Sequence, residues 1–287
     1  MGALMRRIIL IGIVLMPLTL PGAGQATGHG PVFGLATPTL GRGGWSLDIA
    51  VMDRMAGGRH TAMLRSMISY GITEDLQVSA SLPMPLYTRQ GLPQSRVMAM
   101  MPANPDVELL LGWRFHRQGR RVGARFESTV YLGFDYPTDP VRNGIRTWPG
   151  LYTAGVTGYA SRSVYVWVSG QYRRYMSPAV DPVDRLGDTA MYSLVLGYRP
   201  AYFRKEYPHP DWRLFIEAVG EVTGKDRLGG RKRPDSGGHQ LFIGPTLLGL
   251  YGAWGVSFGP LFPVYRNLNG TQLEDSVRVV VNYTYWF

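Results

Sequence analysis

Cysteine is absent from the 287 residues. That absence removes disulfide frameworks, thiolate nucleophiles, cysteine-ligated metals and the acylated cysteine of a lipoprotein. Lysine is almost missing too, occurring only at Lys205, Lys225 and Lys232, so the formal net charge of +10 is carried nearly all by arginine. Clustered basic residues would point to nucleic acid. Here they are scattered singly except at Arg231, Lys232 and Arg233, and no nucleic-acid partner is expected. Arginine keeps its charge and pairs bidentately with carboxylates in confined sites; codon bias in a GC-rich genome would enrich it equally. Long hydrophobic runs are also lacking. The stretch Ile8 to Leu20 is too short, and too broken by Pro17 and Pro21, to span a bilayer, and nothing later approaches the roughly 20 apolar residues of a membrane helix. A chain of this kind enters a membrane only as a closed sheet.

Residues 1–26 read as a secretory signal. Arg6 and Arg7 form the positive start, Ile8 to Leu20 the apolar centre, and Gly24 and Ala26 the small residues before a cut near Thr27. The expected mature chain, 27–287, is one domain. The hydrophobic fraction of all 287 residues, 45%, is ordinary, as it is for a barrel in which only one face of each strand meets lipid. Abundant glycine (37), proline (21) and tyrosine (17) suit strands, turns and interfacial aromatics.

Period-two alternation recurs along the chain. Trp45, Leu47, Ile49 and Val51 oppose Ser46, Asp48, Ala50 and Met52; Leu76, Val78, Ala80 and Leu82 oppose Gln77, Ser79 and Ser81; Val107, Leu109, Leu111, Trp113 and Phe115 oppose Glu108, Gly112 and Arg114. In the last segment, Val277, Val279, Val281, Tyr283, Tyr285 and Phe287 alternate with Ser276, Arg278, Val280, Asn282, Thr284 and Trp286. In a soluble protein this would be a sticky edge; in lipid it is a closing strand. About twelve strands emerge. Long connectors near 54–61, 84–104, 134–149, 174–188, 223–237 and 265–274 alternate with mostly short ones near 72–75, 116–120, 161–162 and 249–252, with 200–210 the exception. The expected fold is therefore an all-β, antiparallel transmembrane β-barrel of about twelve strands with both termini periplasmic.

The C-terminal pattern resembles the signal of bacterial outer-membrane barrels, a last amphipathic strand ending in Phe. This resemblance implies that Tyr283, Tyr285 and Phe287 are read by the barrel-assembly machinery. The stretch Tyr70-Gly71-Ile72-Thr73-Glu74-Asp75-Leu76-Gln77-Val78, ending at Leu82-Pro83, also resembles the strand-turn-strand pattern of an outer-membrane family named for the MetA pathway of phenol degradation. His29 to Gly34 and Gly43-Gly44-Trp45 are compatible with it. The likeness is best in the N-terminal third. It implies an outer-membrane barrel for passage of small, hydrophobic compounds and no catalytic residues.

If the apolar sides face lipid, the inward set includes Asp48, Arg65, Gln77, Glu108, Arg114, Arg125, Glu127, Gln171, Arg173, Arg199, Arg213, Glu217, Arg278 and Asn282. Twelve strands ~4.8 Å apart and tilted ~40° give a backbone diameter of roughly 24 Å, which inward side chains reduce to about 10–12 Å. The expectation is a narrow, net-positive passage or a salt-bridged interior, not a wide pore. Unpaired arginines would favour anions; paired ones would only brace the wall.

Three sharper readings compete. Met84, Met98, Met100 and Met101 share one predicted loop, and thioethers favour Cu(I), although methionines also pad apolar routes. Ser236 and His239 are near enough for an outer-membrane lipase, but no His-x-Ser-Asn-type arrangement supports it. Gly224 to Gly238 lacks a Walker lysine and a strand-to-helix context, so it reads as a basic external loop able to touch lipopolysaccharide phosphates. No cofactor or metal site is expected. The expected partners are outer-membrane lipid and lipopolysaccharide, the assembly machinery and a small-molecule solute.

Overall fold

The period-two pattern becomes long antiparallel strands in a computed structural model, which describes residues 30–88, 105–142, 144–178, 184–204 and 209–287. The strands are β1 (Trp45–Ala56), β2 (Arg59–Gly71), β3 (Leu76–Thr88), β4 (Val107–Arg121), β5 (Ala124–Tyr136), β6 (Val141–Arg142), β7 (Ile145–Arg146), β8 (Gly150–Ala160), β9 (Val164–Tyr175), β10 (Thr189–Tyr198), β11 (Asp211–Thr223), β12 (Arg227–Leu228), β13 (Arg231–Lys232), β14 (Gly238–Tyr251), β15 (Trp254–Leu268) and β16 (Asp275–Trp286). Twelve of them close into a barrel in the order β1-β16-β15-β14-β11-β10-β9-β8-β5-β4-β3-β2, while β6–β7 and β12–β13 are small hairpins in the connectors. Closure leaves no sheet edge unpaired. The last strand joins the first, Ser46 opposite Trp286 and Val51 opposite Val281. Trp45 and Phe287 extend this seam by exchanging backbone hydrogen bonds of 2.9 and 3.1 Å. The residues with which the barrel begins and ends therefore meet at one rim.

The outer wall is apolar. Leu109, Leu111, Leu132, Val168, Leu194, Leu196, Ile216, Phe258 and Val281 are all exposed, as lipid-facing positions must be. Aromatic side chains mark the rim at the chain termini: the Trp45 ring lies 4.6 Å from Tyr70 and 6.4 Å from Phe287, and Tyr285 lies 5.9 Å from Phe287. Such girdles belong at the membrane–water boundary. This exterior makes the closed sheet a membrane barrel of the bacterial outer-membrane type.

Three local expectations are corrected. The predicted long connector at 54–61 is a two-residue turn, Gly57-Gly58, with φ of 54° and 73°. Two glycines at positive φ make a tight hairpin turn that matches strand twist. The charged residues around it look like loop but pair locally, His60 Nδ1 lying 3.0 Å from Asp53 and Arg54 Nε 2.5 Å from Asp275. The turn expected at 116–120 lies instead at Val122-Gly123, because β4 continues through two register shifts against β5. In β16, Asp275 rather than Ser276 turns inward: a register shift at Met55/Ala56 leaves Ser276 exposed and Asp275 buried. A bulge re-aims side chains by adding one residue.

At the end opposite the termini the connectors bind one another. Trp148 Nε1 donates to the Asp184 carbonyl (2.9 Å), Gly229 N to Asp184 Oδ1 (2.6 Å) and Gly187 N to Asp226 Oδ1 (2.9 Å). Ile145, Tyr175 and Leu186 form a small apolar cluster beneath them. The residues 1–26 expected as a signal lie outside the described residues.

Candidate functional site

The stretch before β1 does not lie on the surface. Residues 30–42 thread through the barrel and fill part of its lumen. Phe33 is wholly buried among Met52, Met191, Val219, Phe242, Leu261 and Val280, inward side chains of β1, β10, β11, β14, β15 and β16. Leu35 and Ala36 pack against a second interior cluster that includes Tyr131, Trp167, Val195 and Phe215. The aromatic side chains find room because glycines face them across the ladder. Gly133 opposes Tyr152 and Gly158 opposes Trp167, and a Cβ at either glycine would run into the ring.

Polar contacts hold the same segment. Val32, Phe33 and Gly34 donate three consecutive backbone N–H groups to the Glu217 carboxylate at 2.7, 2.8 and 2.6 Å. Thr246 Oγ1 adds a fourth donor at 2.5 Å. Successive N–H groups converging on a carboxylate form an anion nest, and it satisfies a side chain that is 0% exposed. Farther along, Thr37 Oγ1 donates to Glu127 (3.1 Å) and accepts from Trp167 Nε1 (3.2 Å), while its carbonyl accepts from Thr129 Oγ1 (2.6 Å). Leu40 N donates to Gln77 Oε1 (2.9 Å). Polar anchors thus come from β3, β5, β9 and β11 along the segment.

The inward charges form compact ion-pair groups. Arg65 on β2 lies 2.5 Å from Glu108 on β4, and Arg173 on β9 lies 2.9 Å from Asp135 and 3.8 Å from Glu108. Near the terminal rim, Arg114 lies 2.7 Å from Asp75 and 3.1 Å from Glu127, with Arg125 3.0 Å from Glu127. Toward the far end, Arg278 reaches across the lumen to Glu221 (2.5 Å) and bonds Asp275 (2.5 Å), which also takes Arg54. The Arg278 guanidinium caps the Phe242 ring at 4.1 Å. Arg199 and Arg213 share Asp211 at the terminal rim.

Asp48, Arg65, Gln77, Glu108, Arg114, Glu127, Gln171, Arg173, Arg213, Glu217, Arg278 and Asn282 all lie on the inward sides of their strands, with Arg125 and Arg199 at the rim. They do not form one site. The ion pairs take up most of the charged ones, Gln171 reaches only the Met191 sulfur (3.0 Å), and Gln77 and Glu217 bind the threaded segment. The expected net-positive lumen is not found among the described residues. Each arginine-containing group away from the rim is matched by carboxylates: the register sets like charges opposite one another, Arg54 with Arg278 and Glu108 with Asp135, and oppositely charged side chains from other positions neutralise them.

A cavity of about 200 Å³ remains between the threaded segment and the wall. Its lining joins Asp48, Ser69, Ser79, Ser257, Asn282 and Thr284 from β1, β2, β3, β15 and β16 and the Arg65–Glu108 pair with the apolar Leu35, Ala36, Leu110 and Leu248. The sequence gives little warning of the threaded segment. Its one trace is the run of bulky apolar residues at inward positions, such as Tyr165, Trp167, Val195 and Phe215, where a water-filled barrel would carry polar ones.

The competing readings fare differently. Ser236 and His239 are not paired: Ser236 Oγ accepts from Asp226 N (3.0 Å) and donates to the Arg233 carbonyl (2.9 Å), while His239 Nε2 meets Tyr192 Oη (2.9 Å) beside Tyr265. Met84 sits on the exposed side of β3 rather than in a loop; Met98, Met100 and Met101 lie outside the described residues.

A closed twelve-stranded wall with an apolar exterior and an ion-paired, partly filled interior defines a β-barrel of the outer membrane. Two solved structures share it. An outer membrane channel from Pseudomonas putida F1 superposes with a TM-score of 0.59 at 12% identity, covering 88% of this chain and 98% of its own. The NanC porin gives 0.51 at 9% identity, covering 83% and 98%. No protein-family model and no curated relative matches the sequence. At these identities the likeness is one of fold.

Proposed function

We propose that the protein is a passive passage for small molecules across the bacterial outer membrane, narrowed by its own N-terminal segment. The observation that carries this reading is the partly polar cavity left beside that segment inside a closed barrel. The likeness of Tyr70 to Val78 to the phenol-degradation family, and the apolar part of the cavity lining, support small hydrophobic solutes. An anionic preference loses its physical basis, because the arginines that would create it are paired. In planar bilayers the purified protein is expected to give small, discrete conductance steps. Silence from both the intact protein and a variant lacking residues 30–40 would overturn the passage and leave a structural barrel.

In this reading the rim formed by Trp45 and Phe287 faces the periplasm, and the bonded loops face outward toward lipopolysaccharide. Tyr283, Tyr285 and Phe287 serve as the assembly signal. Deleting Phe287 removes both main-chain bonds to Trp45 and two ring contacts. It is expected to lower the yield of folded barrel in the outer membrane several-fold, seen as loss of the heat-modifiable band, while the protein that does assemble conducts normally.

A further inference from the structure

The inward ion-pair groups away from the rim balance, and two buried carboxylates among the described residues stand outside them. Glu217 and Asp48 are buried carboxylates that enter none of the ion pairs described above. The nest of backbone N–H groups serves Glu217. Asp48 has no equivalent. It is 7% exposed and accepts from Thr284 Oγ1 at 2.5 Å, with only long contacts from Ser46 Oγ (3.4 Å) and Asn282 Nδ2 (3.5 Å).

Asp48 also lines the lumen cavity. With one short hydrogen bond and two long ones, this carboxylate has capacity for a further charged donor. Arg65, the cation that shares the cavity, is engaged by Glu108 at 2.5 Å and by Ser81 Oγ at 2.6 Å. The cavity therefore presents one carboxylate outside any ion pair among hydroxyl side chains, and Leu35, Leu110 and Leu248 line it as well. A ligand complementary to both carries a positive head and a short apolar body.

We propose that this cavity binds small organic cations, with a protonated amine at Asp48, Ser69 and Asn282 supporting polar contacts, and the hydrocarbon part against Leu35, Leu110 and Leu248. The inference rests on the passage reading insofar as the cavity must be reachable from solution, and it adds a charge preference to it. The preference is opposite in sign to the one that composition suggests.

The test is equilibrium binding of three probes of equal length, n-butylammonium, n-butanol and butyrate, to the full mature protein in nanodiscs of zwitterionic lipid, measured by calorimetry. Butylammonium is expected to bind about tenfold tighter than butanol, and butyrate weakest. Asp48→Asn keeps the shape and an acceptor for Thr284, and it is expected to bring butylammonium down to butanol's affinity without changing butanol. Equal affinities in the unaltered protein, or no binding of any probe, would overturn the cation site. A preference that survives Asp48→Asn would overturn the role of Asp48. Should the variant fail to assemble, the three-probe comparison on the unaltered protein still decides the matter. The passage reading is judged separately by conductance, so steps in the bilayer with equal probe affinities would sink the cation site alone.

Discussion

Removing residues 30–40 should raise the single-channel conductance several-fold while leaving the barrel wall assembled. The twelve-strand ladder makes its hydrogen bonds without this segment, so its loss opens the lumen rather than the sheet. The cost falls on the interior clusters, where Met52, Val219, Phe242 and Val280 lose the Phe33 ring. Truncating a buried Phe commonly costs about 3–5 kcal/mol, so Phe33→Ala is the corresponding point variant. It should produce flickering openings rather than a permanently wide state.

Glu217→Ala attacks the same segment from its polar side. Three backbone N–H groups lose a charged acceptor, and each such hydrogen bond is worth roughly 1.5–3 kcal/mol. The segment should then leave its seat, and protease added at the periplasmic face should cut within it. Glu217→Gln keeps a neutral acceptor and should fall between the two. Unchanged conductance in all of these variants would mean that the threaded segment does not set the passage.

Arg278→Ala is expected to destabilise the barrel more than any other single exchange of an inward residue. The guanidinium holds Glu221 at 2.5 and 3.1 Å and Asp275 at 2.8 and 2.5 Å. Without it Glu221 is a buried carboxyl group that has lost its bidentate partner, and Asp275 is left with Arg54. Breaking a buried pair by removing one partner costs about 3–5 kcal/mol, whereas replacing both partners by apolar groups is often near neutral. Urea unfolding in lipid vesicles, followed by tryptophan fluorescence, should show the loss. The double exchange Arg278→Met with Glu221→Gln should recover much of it. A loss below about 1 kcal/mol in the single variant would mean that water reaches these carboxylates and the pairing is weak.

Strand positions were legible wherever one face met lipid. The alternation of Val277 to Phe287 against Arg278 to Trp286, and the pairing of that segment with Trp45 to Val51, follow from a period of two and the need to close the sheet. Turns were harder to place. Gly57-Gly58 sits among charges that read as loop, and only its cross-strand partners show those charges to be the top of a hairpin. The bulge that turns Asp275 inward has no signature of its own, since it depends on register against β1.

By itself the sequence determined the barrel, its strand number and its lipid face, because lipid outside and backbone hydrogen bonding leave a chain without long apolar runs no other way to span a membrane. Tertiary structure decided what fills the lumen and what charge it shows. Whether Arg65 meets Glu108 or stands alone, whether Glu217 receives a nest of backbone N–H groups, and whether Asp48 is left facing a cavity depend on strand register and on the path of residues 30–42. Those contacts join residues far apart in the chain, and pairing energy in a buried site depends on distance and solvent access rather than on composition.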